Sequence, residues 1–137
     1  KDRNSLLSDL SILTTAESKL LLEDFNNTAV SYPLEKTFVS LFESQVSKTP
    51  ESTAIVLGDS SMSYQELDDR SNQVAHYLRS HGVVRDSMVG ICLERSLSMF
   101  VGILGILKSG GAYVPIKPDY PVSRIGHILE EIGSTIV

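Results

Sequence analysis

The chain has one cysteine, three histidines and no tryptophan, and it lacks an excess of positive charge. With Cys92 alone no internal disulfide can form, which predicts a reducing, cytoplasmic setting. The formal net charge of −5 at pH 7 disfavours a nucleic-acid partner, which would need a basic stripe. No secretory signal opens the chain, and its longest apolar run, residues 99–107, is shorter than the about 20 residues that span a bilayer. We therefore expect no membrane partner.

Motifs for catalysis and metal binding are also missing. Gly105 and Gly110 have the spacing of a phosphate-binding loop, but Gly111 and Ala112 follow where that loop needs a lysine and a hydroxyl residue. These glycines close a helical pattern and precede a strand pattern, which is the reverse of that loop and favours helix termination. His127 has no second histidine at zinc-binding spacing. The residues themselves predict no catalytic, cofactor-binding or metal-binding side chain.

The remaining sequence is typical of a globular domain. Its 137 residues are 42% apolar, enough for one core. From residue 37 onward, helical and strand-like apolar spacings alternate, which predicts an α/β fold with helices and strands around a largely parallel sheet. Predicted helices begin near Phe38, Tyr64, Leu97 and Pro121, and predicted strands cover residues 53–57, 88–93, 113–116 and 135–137. The charged run 66–70 is typical of a solvated helix face.

The first 36 residues have a different pattern. Five apolar residues between Leu6 and Leu13 predict a short extended segment. Thr14 and Glu17 have the spacing of a capping box, which predicts a helix that continues to Phe25. Asn26 and its neighbours should end that helix, and the residues before Pro33 should be extended, because proline disfavours helix at the preceding position.

Two motifs stand out, at residues 62–67 and 107–116. The first, Met62-Ser63-Tyr64-Gln65-Glu66-Leu67, resembles Leu-Thr/Ser-Tyr-x-Glu-Leu, and the second, Leu107-Lys108-Ser109-Gly110-Gly111-Ala112-Tyr113-Val114-Pro115-Ile116, resembles Leu-Lys-Ala-Gly-Gly-Ala-Tyr-Val-Pro-Ile. Both are core motifs of the adenylation domains of nonribosomal peptide synthetases. Residues 118–125 are similar to that family's Pro-x-Tyr-Pro-x-Glu-Arg-Ile, with Ser123 in place of glutamate. Lys117 stands where the family usually has aspartate, and the effect of that reversal is open.

The resemblance implies a function for a larger parent protein. In this family the complete domain activates an amino acid with ATP and Mg²⁺, forms an aminoacyl adenylate, and loads it onto the phosphopantetheine thiol of a carrier domain. The family's phosphate-binding elements and its substrate pocket lie downstream of the matched segments. We therefore carry over no catalytic, cofactor or metal residue, and expect this chain alone to be inactive. A structural role is expected for the motif residues Tyr64, Glu66, Leu67, Gly110, Gly111, Tyr113 and Pro115.

The resemblance also implies a domain organisation and partners. Residues 1–36 resemble the linker between a condensation and an adenylation domain, and residues 37–137 resemble the N-terminal portion of a truncated adenylation domain. The implied partners are the remainder of that domain, an upstream condensation domain and a downstream carrier domain. An MbtH-like accessory protein is a further candidate.

Two other functions stay open at this point. Because the chain ends inside a predicted strand, a cut sheet edge could make it a self-associating, non-enzymatic interaction module. A stand-alone α/β nucleotide-binding protein is the other alternative, and it would need a phosphate-binding loop that the sequence does not show.

Overall fold

A computed structural model describes residues 12–134 and divides the chain into two units, Lys1–Leu34 and Glu35–Val137. In the first unit, helix α1 (Thr15–Lys19) continues as a π-helical turn, Leu20–Asp24. The predicted capping box is confirmed: Thr14 Oγ1 accepts from the Glu17 N–H at 3.2 Å, and Glu17 Oε2 accepts from the Thr14 N–H at 2.8 Å. The pKa of the Glu17 carboxyl is lowered, mainly by the hydrogen bond from the Thr14 backbone N–H and further by the bond from the Thr14 hydroxyl.

The helical segment of the first unit ends where the sequence predicts. The Asn26 side-chain amide donates to the carbonyl oxygens of Leu21 and Leu22, both at 3.0 Å, and so satisfies two carbonyls at the helix end. Most of the extended segment predicted for residues 6–13, and the whole strand predicted for residues 135–137, lie outside the described residues.

The second unit is mixed α/β, as predicted. Its helices are α2 (Phe38–Lys48), α3 (Tyr64–Ser80), α4 (Leu97–Ser109) and α5 (Val122–Glu131), and its strands are β1 (Thr53–Leu57), β2 (Ser60–Ser63), β3 (Met88–Ile91) and β4 (Ala112–Pro115). Between residues 12 and 134, no helix is long and apolar enough to cross a membrane.

The described strands form two pairs. β3 and β4 are parallel, joined through α4, with Met88 opposite Ala112 and Ile91 opposite Pro115. β1 and β2 form an antiparallel hairpin that the sequence analysis did not predict. Only Gly58 (φ +59°) and Asp59 lie between the two strands. The serine-rich β2 buries Met62 alone, so its sequence carries no alternating apolar signal.

Helix α4 contributes to both buried apolar clusters that the described residues of the second unit form. Its Ile106 packs with Leu78, Val83, Val89 and Ile91 against β3. On another side, its Val101 and Leu104 pack with Met62 and Leu67, the buried residues of the hairpin and the start of α3. One nearly all-apolar helix therefore joins the parallel pair to the hairpin.

Two helices of the second unit are only partly covered. The apolar stripe of α5 is half-buried, and Val122 at its start is 86% exposed. On α4, Phe100 is 42% exposed. Both helices therefore leave apolar side chains uncovered by the described residues.

The contact between α3 and α4 is close enough to require glycine at position 105. A Cβ there would lie 2.5 Å from Val74 Cγ1 and 3.1 Å from the Ser71 carbonyl oxygen. We expect Gly105→Ala to destabilise the chain by about 1–3 kcal/mol, because the added carbon overpacks this interface.

The matched control is Gly126→Ala on α5, where a Cβ would meet nothing within 4 Å. That substitution should leave stability unchanged or raise it by about 0.5–1 kcal/mol, because alanine favours helix over glycine. Urea denaturation of the two variants measures both effects, and equal costs would contradict the close contact at Gly105.

Candidate functional site

The two sequence motifs meet at the packed helices α3 and α4. Tyr64, Glu66 and Leu67 form the first turn of α3. Gly110 and Gly111 lie between α4 and β4, while Tyr113 and Pro115 lie within β4. The motifs are joined by Lys108, whose side chain reaches Asp68, the residue after Leu67.

The first motif fixes the start of α3. Ser63 Oγ accepts from the Glu66 N–H at 3.2 Å, and Glu66 Oε2 accepts from the Ser63 N–H at 3.0 Å, so the pair forms a capping box. The Tyr64 N–H donates to the Ser52 carbonyl at 3.0 Å, and its ring lies 5.9 Å from that of Phe42. Leu67 is buried. Each of these contacts positions the helix.

The second motif turns the chain from α4 into β4. Gly110 takes φ +96°, a left-handed conformation that glycine adopts without strain. The Gly110 N–H donates to the Leu107 carbonyl and the Gly111 N–H to the Ile106 carbonyl, both at 3.1 Å. A Cβ at Gly111 would lie 3.0 Å from the Ser87 oxygen. Both glycines therefore have structural roles, in ending the helix and in allowing close backbone packing.

Lys108, in the second motif, is a buried cation between α3 and α4. Its side chain is 4% exposed, and Nζ lies 2.6 Å from Asp68 Oδ1, 2.7 Å from Asn72 Oδ1 and 3.4 Å from the Asp68 carbonyl oxygen. Asn72 Nδ2 donates in turn to Asp68 Oδ2 at 2.9 Å. Nζ also lies 5.4 Å from the centre of the Phe42 ring. We name Lys108, Asp68, Asn72 and Phe42 the Lys108 cluster.

Arg79 makes the reciprocal contact, from α3 to the end of α4. Its Nη2 donates to the Lys108 carbonyl, and its Nε lies 3.5 Å from the Ser109 carbonyl oxygen. A cation at these carbonyls also complements the negative end of the helix dipole. Each helix thus supplies one cation to the other.

The sequence analysis missed the Lys108 cluster, and its interpretation of Asp68 was wrong. Asp68 was included in a solvated charged run, yet its side chain is only 17% exposed and faces α4. The available signal was its helical spacing, because Asp68 lies three and four residues before Ser71 and Asn72, on the face that carries the buried Ser71 and Ala75. The partner that buries this face is 40 residues away in sequence, so local pattern could not identify it.

The described residues do not assemble a reactive centre. No three His, Cys, Asp or Glu side chains within residues 12–134 lie close enough to hold a metal ion. An apolar groove of about 280 Å³ lies between α3, α4 and β3, and Tyr77 and half-buried Cys92 are its main polar lining residues. This groove lacks the paired acid, base or cation that catalysis would need.

We expect Lys108→Met to destabilise the chain by about 3 kcal/mol, because Asp68 would stay largely buried without its counter-charge. Arg85→Gln is the control, since the Arg85–Asp86 pair has side chains 93% and 90% exposed. It should not change the urea midpoint measurably. A Lys108→Met midpoint equal to that of the control would contradict a buried ion pair.

Comparison with known proteins identifies relatives over most of the chain. The model of the family described as AMP-binding enzyme matches residues 42–137. Tyrocidine synthase 2 of Brevibacillus parabrevis is 53% identical over 125 residues, which cover 91% of this chain and 4% of that protein. Bacitracin synthase 3 of Bacillus licheniformis is 50% identical over 131 residues, 96% of this chain and 2% of that protein. The chain thus spans only a few per cent of these relatives.

Solved structures share the fold. The nonribosomal peptide synthetase FmoA3 matches 81% of this chain with a TM-score of 0.74 and 31% identity, and the match covers 12% of that chain. The Klebsiella oxytoca NpsA N-terminal subdomain matches 72% of this chain with a TM-score of 0.64, over 26% of its own length. At 24% identity, the second likeness concerns the fold alone.

Proposed function

The chain belongs to the AMP-binding enzyme family as part of a nonribosomal peptide synthetase adenylation domain, and on that premise we propose that its complete parent activates an amino acid with ATP. The parent forms an aminoacyl adenylate and releases pyrophosphate, and the phosphopantetheine thiol of a carrier domain then takes the aminoacyl group as AMP leaves. The observation that carries this proposal is the 53% identity to a peptide synthase over 91% of the chain.

The chain's own role in the proposed reaction is to supply framework. Lys108 has three N–H donors, and all three have oxygen neighbours in Asp68 and Asn72. The N–H groups of Gly110 and Gly111 are bonded to α4 carbonyls. The residues with the glycine spacing of a phosphate loop therefore do not fit ATP or its Mg²⁺, and we assign them no step in the chemistry.

The motif residues accordingly act as structural elements. Glu66 caps α3, Tyr64 and Leu67 pack its first turn, and Gly110 and Gly111 terminate α4. Tyr113 and Pro115 have backbone nitrogens on the edge of β4 that faces away from β3, because the N–H groups of Ala112 and Ile116 donate to the β3 side.

That edge disfavours self-association through β4, whereas the strand predicted at residues 135–137, on which the self-association alternative was based, lies outside the described residues. Pro115 has no N–H, so an added strand would lose a ladder hydrogen bond there. Prolines at strand edges are one device by which proteins limit edge-to-edge pairing. The placement of Pro115 therefore supports a framework role for β4 over self-pairing through this strand.

We retain the proposed organisation of the chain, with residues 1–36 as a linker after a condensation domain and residues 37–137 as the N-terminal part of the adenylation domain. The division of the chain near Leu34 and the start of the family match at residue 42 support this boundary. A downstream carrier domain is the proposed acceptor.

Amino-acid-dependent exchange of pyrophosphate into ATP tests the proposal. With pooled amino acids, we expect the complete adenylation domain that carries this sequence to exchange label, and the 137-residue chain to give only background, because the donors of Lys108, Gly110 and Gly111 are already bonded within the chain. No exchange by the complete domain would contradict the proposed activity. Exchange by the short chain would contradict its role as framework.

A further inference from the structure

The apolar surface of α4 does not by itself determine how this helix packs on α3. Apolar side chains occur all round this helix, at Phe100, Val101, Ile103, Leu104, Ile106 and Leu107. Several rotations about its axis would therefore bury comparable apolar area, and hydrophobic burial is non-directional. Apolar burial alone therefore favours no particular face of α4 for the contact with α3.

The polar contacts remove that ambiguity. Asp68 and Arg79 are 11 residues apart on α3, about 16 Å along a helix axis. Asp68 receives the Lys108 ammonium, and Arg79 holds the carbonyls of Lys108 and Ser109. The end of α4 is thus attached from two directions along α3, so sliding either way would break one of the contacts.

Rotation is limited on the same face. Gly105 lies three residues before Lys108, and a Cβ at this position would lie 2.5 Å from Val74 Cγ1 and 3.1 Å from the Ser71 carbonyl oxygen. Turning α4 would bring a side chain to the place that only glycine fits, and would leave Asp68 and Lys108 buried without partners. Among the described residues, every buried side-chain polar atom has a hydrogen-bond partner in the observed setting.

We propose that the buried polar contact of Lys108 with Asp68 and Asn72 determines the rotation and register of α4 on α3. Through them it determines the pairing of β4 with β3. This contact determines which packing of α4 forms, and it contributes little net stability to the fold. A buried ion pair loses hydration on folding, so apolar side chains of similar size are often as stable or more so. Lys108 is therefore a positioning residue, and the inference stands whatever reaction the parent performs.

The test replaces these three polar side chains by apolar ones in the 137-residue chain. The triple variant is Lys108→Met, Asp68→Leu, Asn72→Leu. This variant leaves no buried charge unpaired, unlike Lys108→Met alone, which leaves Asp68 without its counter-charge. Two quantities are measured: the melting temperature, and the hydrogen-exchange rates of the Ala112 and Ile116 amides, which donate to Ser87 and Ile91. A double variant Gln65→Leu, Asp69→Leu is the control, because that 2.9 Å pair is exposed on the same helix.

We expect the triple variant to melt at or above the temperature of the unchanged chain, while the Ala112 and Ile116 amides exchange about tenfold faster, as local opening requires. The control should exchange at the unchanged rate. Unchanged exchange in the triple variant would overturn the proposal, since packing alone would then set the register. A lower melting temperature with uniformly faster exchange would also overturn it, because the cluster would then be a source of net stability.

Discussion

The direct contact between α3 and α4 is the constraint on which the second unit depends. At Gly105 a Cβ on α4 would lie too close to Val74 and to the Ser71 carbonyl oxygen for a side chain to fit without a shift. One turn later Lys108 crosses to Asp68 and Asn72, and Arg79 returns from α3 to the last carbonyls of α4. Because α4 also contacts β3, β4 and β1, its setting on α3 determines where both strand pairs lie.

This arrangement explains how a motif can be prominent in sequence without being reactive. The glycines of residues 110 and 111 end a helix and permit close backbone packing, and their N–H groups are already bonded. The motif lysine is buried in a network that leaves no donor for a phosphate. A frame of this kind serves the proposed adenylation chemistry by holding strands in place for residues that lie elsewhere in the parent.

Local patterns predicted most of this frame. The capping box of Thr14 and Glu17, the start of a helix at Tyr64 and the strand Thr53–Leu57 follow from residue type and spacing, and the structure has them at the expected positions. The sequence did not predict β2, because its serines give no alternation, nor the burial of Asp68, because its partner is 40 residues away. Long-range pairing between polar groups leaves no periodic signal, whereas apolar stripes and caps do.

We infer that the motif lysine belongs to the framework and not to the nucleotide site. A high-resolution structure of the complete adenylation domain with a non-hydrolysable ATP analogue bound tests this role most directly. We expect Lys108 Nζ to stay within hydrogen-bond distance of Asp68 and Asn72, and the phosphates to contact other residues. Lys108 found against a phosphate oxygen, or turned out to solvent, would contradict it.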